Sequence, residues 1–169
     1  RWSRYSRYSN SHRIYLIDFY LIIWYNRTME YINSTDGNLI RNLLLTDDLK
    51  GMNPQGLPIP SSKELVSNPL IKWIITYIYN EPVAIVQLHQ TPNEVHAHIG
   101  VLEKYRNLSS EIFQGNKAFI KTNFPGIMEL VCIVTMSTPN TVRAVKFLSK
   151  MGCQFSGIGP TGLKFILGL

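Results

Sequence analysis

The chain has 169 residues, 45% of them hydrophobic and 17% charged, with a formal charge of +6. That size and balance fit one domain with a short appendage, and they exclude a disordered tail or a bundle of membrane helices. The longest apolar run, Ile14 to Tyr25, is interrupted by Asp18 and falls short of the about 20 residues a membrane span needs.

Charge is unevenly spread. Residues 1–28 hold five Arg against one Asp, whereas the remaining basic and acidic residues nearly cancel. A near-neutral body argues against nucleic acid as a partner. The first 28 residues are also rich in Tyr and Ser and contain no Gly, Pro, Lys, Glu or Ala, and the first methionine is Met29. They read either as a frame opened upstream or a fragment end, or as a basic-aromatic arm that docks on a protein partner. A single domain over 29–169 is expected to follow. Cys132 and Cys153 form neither a metal set nor a disulfide framework and read as buried free thiols in a reducing compartment.

In chain order, residues 36–50 place Leu39, Ile40, Leu43 and Leu44 at helical spacing, with Asp36 as a cap. Residues 51–62 carry three Pro and two Gly and predict a loop. Leu70 to Tyr79 is apolar on both faces, which predicts a central strand. Asn80-Glu81-Pro82 predicts a turn, and Val83 to His89 alternates as a second strand. After Thr91-Pro92-Asn93, the third strand VHAHIGVL puts Val95, Ala97, Ile99 and Val101 on one face and His96 and His98 on the other.

Leu108 to Asn123 then predicts a helix, Met128 to Met136 an apolar strand, and Thr138-Pro139-Asn140 the start of a helix to Lys150. Gly152 stops that helix, and two short strands near 153–158 and 163–167 close the chain. Hairpin-linked strands pair antiparallel, whereas the strand–helix–strand crossover pairs parallel. The fold class is α/β (α+β): a mixed, mostly antiparallel central sheet with flanking helices.

Three stretches carry a family resemblance. Val101-Leu102-Glu103-Lys104-Tyr105-Arg106 between strand and helix is similar to a V-x-P-x-x-R-G pattern, and the apolar strand MELVCIVTM precedes another helix. NTVRAVKFLSKMGCQFSGIG is similar to N-x-x-A-x-x-x-Y-x-K-x-G-F-x-x-x-G. On these residues, the chain from about Ile71 to Leu167 resembles the GNAT family (GCN5-related N-acetyltransferases).

The resemblance implies acetyl-CoA as cofactor, held where two neighbouring strands splay apart. Its pantetheine would pair with the backbone of Ile99, Gly100 and Val101. Its pyrophosphate would meet Arg106, Ser109 and Ser110 at a helix N-terminus, and Asn140, one residue upstream of the family's Asn position at Thr141, joins the expected cofactor-binding set. The family's phosphate motif R/Q-x-x-G-x-G/A reads Ser109 and Glu111 at its two small positions. The tyrosine that serves the family as general acid is replaced by Leu148, next to Phe147, and the glycine-phenylalanine pair ends in Cys153.

Amine acetylation needs a base, and imidazole suits that near neutral pH. His98 is the candidate base and Glu94 its orienter. The alternative for both is a half-exposed sheet face. His96 and His98 make no metal set without a third ligand, for which only His89 on the neighbouring strand stands near. Arg143, Lys146 and Lys150 read as a solvated helix face. Two functions remain open. One is an acetyl-CoA-dependent N-acetyltransferase with a degenerate cofactor motif, taking an amine substrate in the cytoplasm. The other is a non-catalytic GNAT-fold protein of a bacteriophage virion or head assembly, acting through protein partners.

Overall fold

The computed structural model describes residues 28–52, 57–134, 141–159 and 162–169. The arm expected over residues 1–28, apart from Thr28, lies outside them, as does Asn140. The described elements run β1 (Met29–Ser34), α1 (Gly37–Leu44), a tight helical turn at Asp47–Met52, α2 (Ser62–Ser67), β2 (Ile71–Ile78), β3 (Glu81–Gln90) and β4 (Val95–Val101). A second tight turn at Glu103–Leu108 leads to α3 (Ser109–Asn123), β5 (Glu129–Val134), α4 (Thr141–Lys150), β6 (Gln154–Gly159) and β7 (Gly162–Gly168). The seven strands form one sheet in the order β1-β2-β3-β4-β5-β7-β6. Every neighbouring pair is antiparallel except β4 and β5.

β2 is buried on both faces because β1 and β3 flank it and helices cover it on each side. On one face Ile74, Val86, Leu88, Leu130, Cys132 and Phe165 pack with Phe113 and Ile120 of α3 and Leu148 of α4. On the other, Trp73, Ile75 and Ile85 pack with Ile40, Leu43 and Leu44 of α1, Leu49, and Leu65 of α2. Each large side chain removed from water there contributes about 1.5–3 kcal/mol. The Trp73 indole N–H donates to the Leu65 carbonyl at 2.8 Å, which lets its one polar atom enter the core.

Three elements differ from the sequence expectation. β1 and α2 were not foreseen: MEYINS mixes polar and apolar residues as an edge strand does, and SKELVS is short. α2 is nucleated by a capping box between Ser61 and Glu64. The helix expected over 36–50 ends at Leu44 and resumes as the tight turn at Asp47–Met52. The first hairpin turns at Tyr79-Asn80, where both residues take left-handed φ (51° and 62°), as a two-residue turn requires. Pro82 lies inside β3, beside a register shift between Thr76 and Tyr77. Gly152 ends α4 in the left-handed region at φ 87°, and the Cys153 N–H donates back to the Leu148 carbonyl at 3.0 Å.

Among the described residues, no helix is long and apolar enough to cross a membrane. Cys132 and Cys153 are buried free thiols, as expected. Their mutual hydrogen bond, and then burial, push the Cys132 thiol up, which disfavours its thiolate form.

Candidate active site

β4 and β5 pair only at His96 with Val131 and at Ala97 with Cys132. Beyond Ala97 the strands part. β4 continues to Val101 with β3 alone beside it, matching Ile99 to Val86, Gly100 to Ile85 and Val101 to Ala84. Ile99, Gly100 and Val101 therefore line a gap in the β4–β5 ladder. Along it, no strand pairs with them on the β5 side among the described residues. A side chain at Gly100 would collide with Leu49 and Met52 of the first tight turn. Its absence lets that turn lie on β4.

The outer end of the gap meets the start of α3. No side chain caps this helix at Leu108. The Ser109 hydroxyl donates to the Arg106 carbonyl at 2.6 Å, Ser110 is half-buried in the first turn, and Glu111 is exposed. Arg106 is not free. Its guanidinium lies 3.9 Å from Asp48 and 3.6 Å from Glu103. The Glu103 backbone N–H donates to the same Asp48 carboxylate at 2.8 Å. A carboxylate of the chain itself thus sits on the donors nearest the expected phosphate position.

The histidines occupy the face turned toward α1. Directly paired residues share a face, and side chains alternate along a strand. His89 stands opposite His96, and Gln87 opposite His98. His96, Val131 and Ile166 are paired across β4, β5 and β7, so alternation brings His98, Ile133 and Lys164 to this same face. The Glu94 carboxylate bonds His96 Nε2 at 3.1 Å and accepts from the Lys164 ammonium. Lys164, and then His96, hold the Glu94 carboxyl below the usual carboxylate range. Among the described residues, the side-chain bonds of Glu94 go to His96 and Lys164, not to His98.

His98 is half-buried. Burial, then the nearby His96 and His89, push its imidazole below the ordinary histidine value. That shift favours the neutral imidazole, the form that accepts a proton. No three potential ligands lie close enough to hold a metal among the described residues. Leu148 is in the core, and Phe147 stacks edge-on against Phe113 at 5.6 Å. Neither can donate a proton. Sequence reasoning missed Lys164 and Asp48. Lys164 carried a signal, as the one charged residue of the apolar last strand, but Asp48 carried none.

No family model matches the chain, and no curated protein sequence matches it. Solved structures do match. A PaiA N-acetyltransferase of Thermoplasma acidophilum, in complex with coenzyme A, aligns with a TM-score of 0.60 at 12% identity, covering 84% of this chain and 99% of that one. An acetyltransferase from Thermus thermophilus aligns at 0.58 and 16% identity, covering 84% and 97%. Aminoglycoside acetyltransferase AAC(6')-Ib, in complex with coenzyme A and kanamycin, aligns at 0.64 and 14% identity, covering 83% and 95%. Likeness at such identities establishes fold, and the fold is the GNAT acyl-CoA N-acyltransferase fold expected from the sequence.

Proposed function

We propose that this chain is an acetyl-CoA-dependent N-acetyltransferase that acts on a primary amine, with His98 as general base. The observation that carries the reading is the confinement of β4–β5 pairing to two residue pairs. An extended pantetheine would add to the free edge of Ile99–Val101 as a strand adds to a sheet. A backbone N–H of that edge would receive the thioester carbonyl oxygen as negative charge develops. An acceptor amine reaching this face would meet His98, whose neutral imidazole would take the ammonium proton. With Leu148 and Phe147 at the family's acid position, water reprotonates the departing thiolate. At the outer end the uncapped α3 N-terminus and Ser110 favour an anion, and Arg106 joins them by exchanging Asp48 for phosphate. Asn140 belongs to this set through the resemblance alone. Coenzyme A in two of the aligned structures supports the same reading.

The test is thermal unfolding of the full chain with and without millimolar acetyl-CoA. Ligand at a hundredfold excess over its Kd adds about 2.7 kcal/mol to stability, so a rise of several degrees is expected. An unchanged midpoint in a chain that melts cooperatively overturns the reading. It would leave the non-catalytic assembly module, with a protein partner to be found.

A further inference from the structure

Lys164 is the one lysine on β4, β5 or β7. It lies beside Ile133 on β5, one residue past Cys132, the last residue of β5 that pairs with β4. Its backbone therefore stands level with the first step of the gap and one strand away, about 4.8 Å in a regular sheet, whereas its ammonium lies at Glu94, toward the paired end of β4. Its side chain shares the face of His98. To reach Glu94, which precedes β4, it extends from β7 across β5. Its side chain is 28% exposed, against 70% for Lys104. Lys117, Lys121, Lys146 and Lys150 sit instead on α3 and α4, the helices of the opposite face.

We propose that Lys164 is an acetyl acceptor within its own chain, a modification site that rests on the N-acetyltransferase reading above. Released from Glu94, the ammonium gives a proton to His98 through water. The neutral amine then attacks the thioester carbonyl of acetyl-CoA. The new C–N bond forms, the C–S bond breaks, and the thiolate leaves and takes up a proton. The products are Nε-acetyl-lysine and free coenzyme A. Acetylation removes the cation from the face and leaves Glu94 paired with His96 alone, so the carboxylate becomes available to an external cationic amine.

The experiment incubates the full chain with acetyl-CoA and follows intact mass and peptide mapping. One acetyl group is expected at Lys164, at a rate per molecule independent of protein concentration. Lys164→Arg should remove it. Glu94→Gln, which frees the amine, should accelerate it severalfold. Acetylation no greater at Lys164 than at exposed Lys104 is chemical background and overturns the proposal, as does a rate that rises with protein concentration. An unchanged or slower rate in Glu94→Gln also overturns it. Melting the same samples separates the two failures. Stabilisation by acetyl-CoA without Lys164 acetylation overturns this proposal alone, whereas absence of both overturns the transferase reading with it.

Discussion

At the outer end of the gap, the donors expected to face phosphate are occupied by a carboxylate of the same chain, Asp48. On the face of His98, the Glu94 carboxylate is occupied by an ammonium of the same chain, Lys164. Both regions carry an internal counter-charge, but they hold it differently. Arg106 is 54% exposed and meets Asp48 at 3.9 Å, the geometry of a surface pair worth little in water. The Lys164–Glu94 pair is more enclosed, and His96 bonds the same carboxylate. The first contact should therefore yield readily to an incoming phosphate. The second should resist, and its resistance sets how easily an amine approaches His98.

The largest expected effect breaks the comparison at its chemical centre. His98→Gln should lower kcat about 10²- to 10⁴-fold, the usual worth of general acid–base catalysis, while stabilisation by acetyl-CoA persists. Its pH profile carries the sign. The neutral imidazole is the active form, and burial with His96 and His89 lowers its pKa. Activity should be full at neutral pH and fall only as pH drops through a value below the ordinary about 6.5. The unfolded chain protonates this residue first, so stability also declines as pH falls below that ordinary value. A kcat/KM limb at or above it removes His98 from the role.

How much of this was legible follows from the distances along the chain. The alternation in VHAHIGVL placed His96 and His98 on one face, and the strand–helix–strand order placed β4 parallel to β5. Both are local signals. Gly152 marked a helix end because it lies where only a left-handed residue closes α4. The site's charges were not legible in the same way. Glu94 meets Lys164 seventy residues later, and the Glu103 amide meets Asp48 fifty-five residues earlier. No periodicity encodes such pairs, so Glu94 read as a partner of His98, two strand steps away on the same parity. β1 was missed because an edge strand with Glu30 and Ile32 exposed shows no apolar alternation.

A second variant sharpens the phosphate end. Asp48→Asn keeps the shape of the contact but removes the charge that competes with phosphate for Arg106. KM for acetyl-CoA should fall by up to about fivefold, the scale of a surface ion pair of about 1 kcal/mol at most. Turnover at saturation should not change, because Asp48 touches the loop and not His98. A rise in KM would mean that Asp48 shapes the Glu103–Leu108 turn for the cofactor and does not obstruct it. The contrast between the two ends would then be lost.

The smallest effect is a control on that result. The Asp36 carboxylate caps α1 by accepting from the N–H groups of Asn38 and Leu39, both at 3.0 Å. Asp36→Ala should cost about 1 kcal/mol of stability, a midpoint drop of about 2–4 °C for a chain of this size. α1 leads directly into the tight turn that bears Asp48 and Leu49. If loosening α1 lowered KM as Asp48→Asn does, the Asp48 contact would be held by the packing of that layer and not by its own charge. An unchanged KM beside a lowered midpoint keeps the competition local to Asp48, Arg106 and the Glu103 amide, where charge alone decides it.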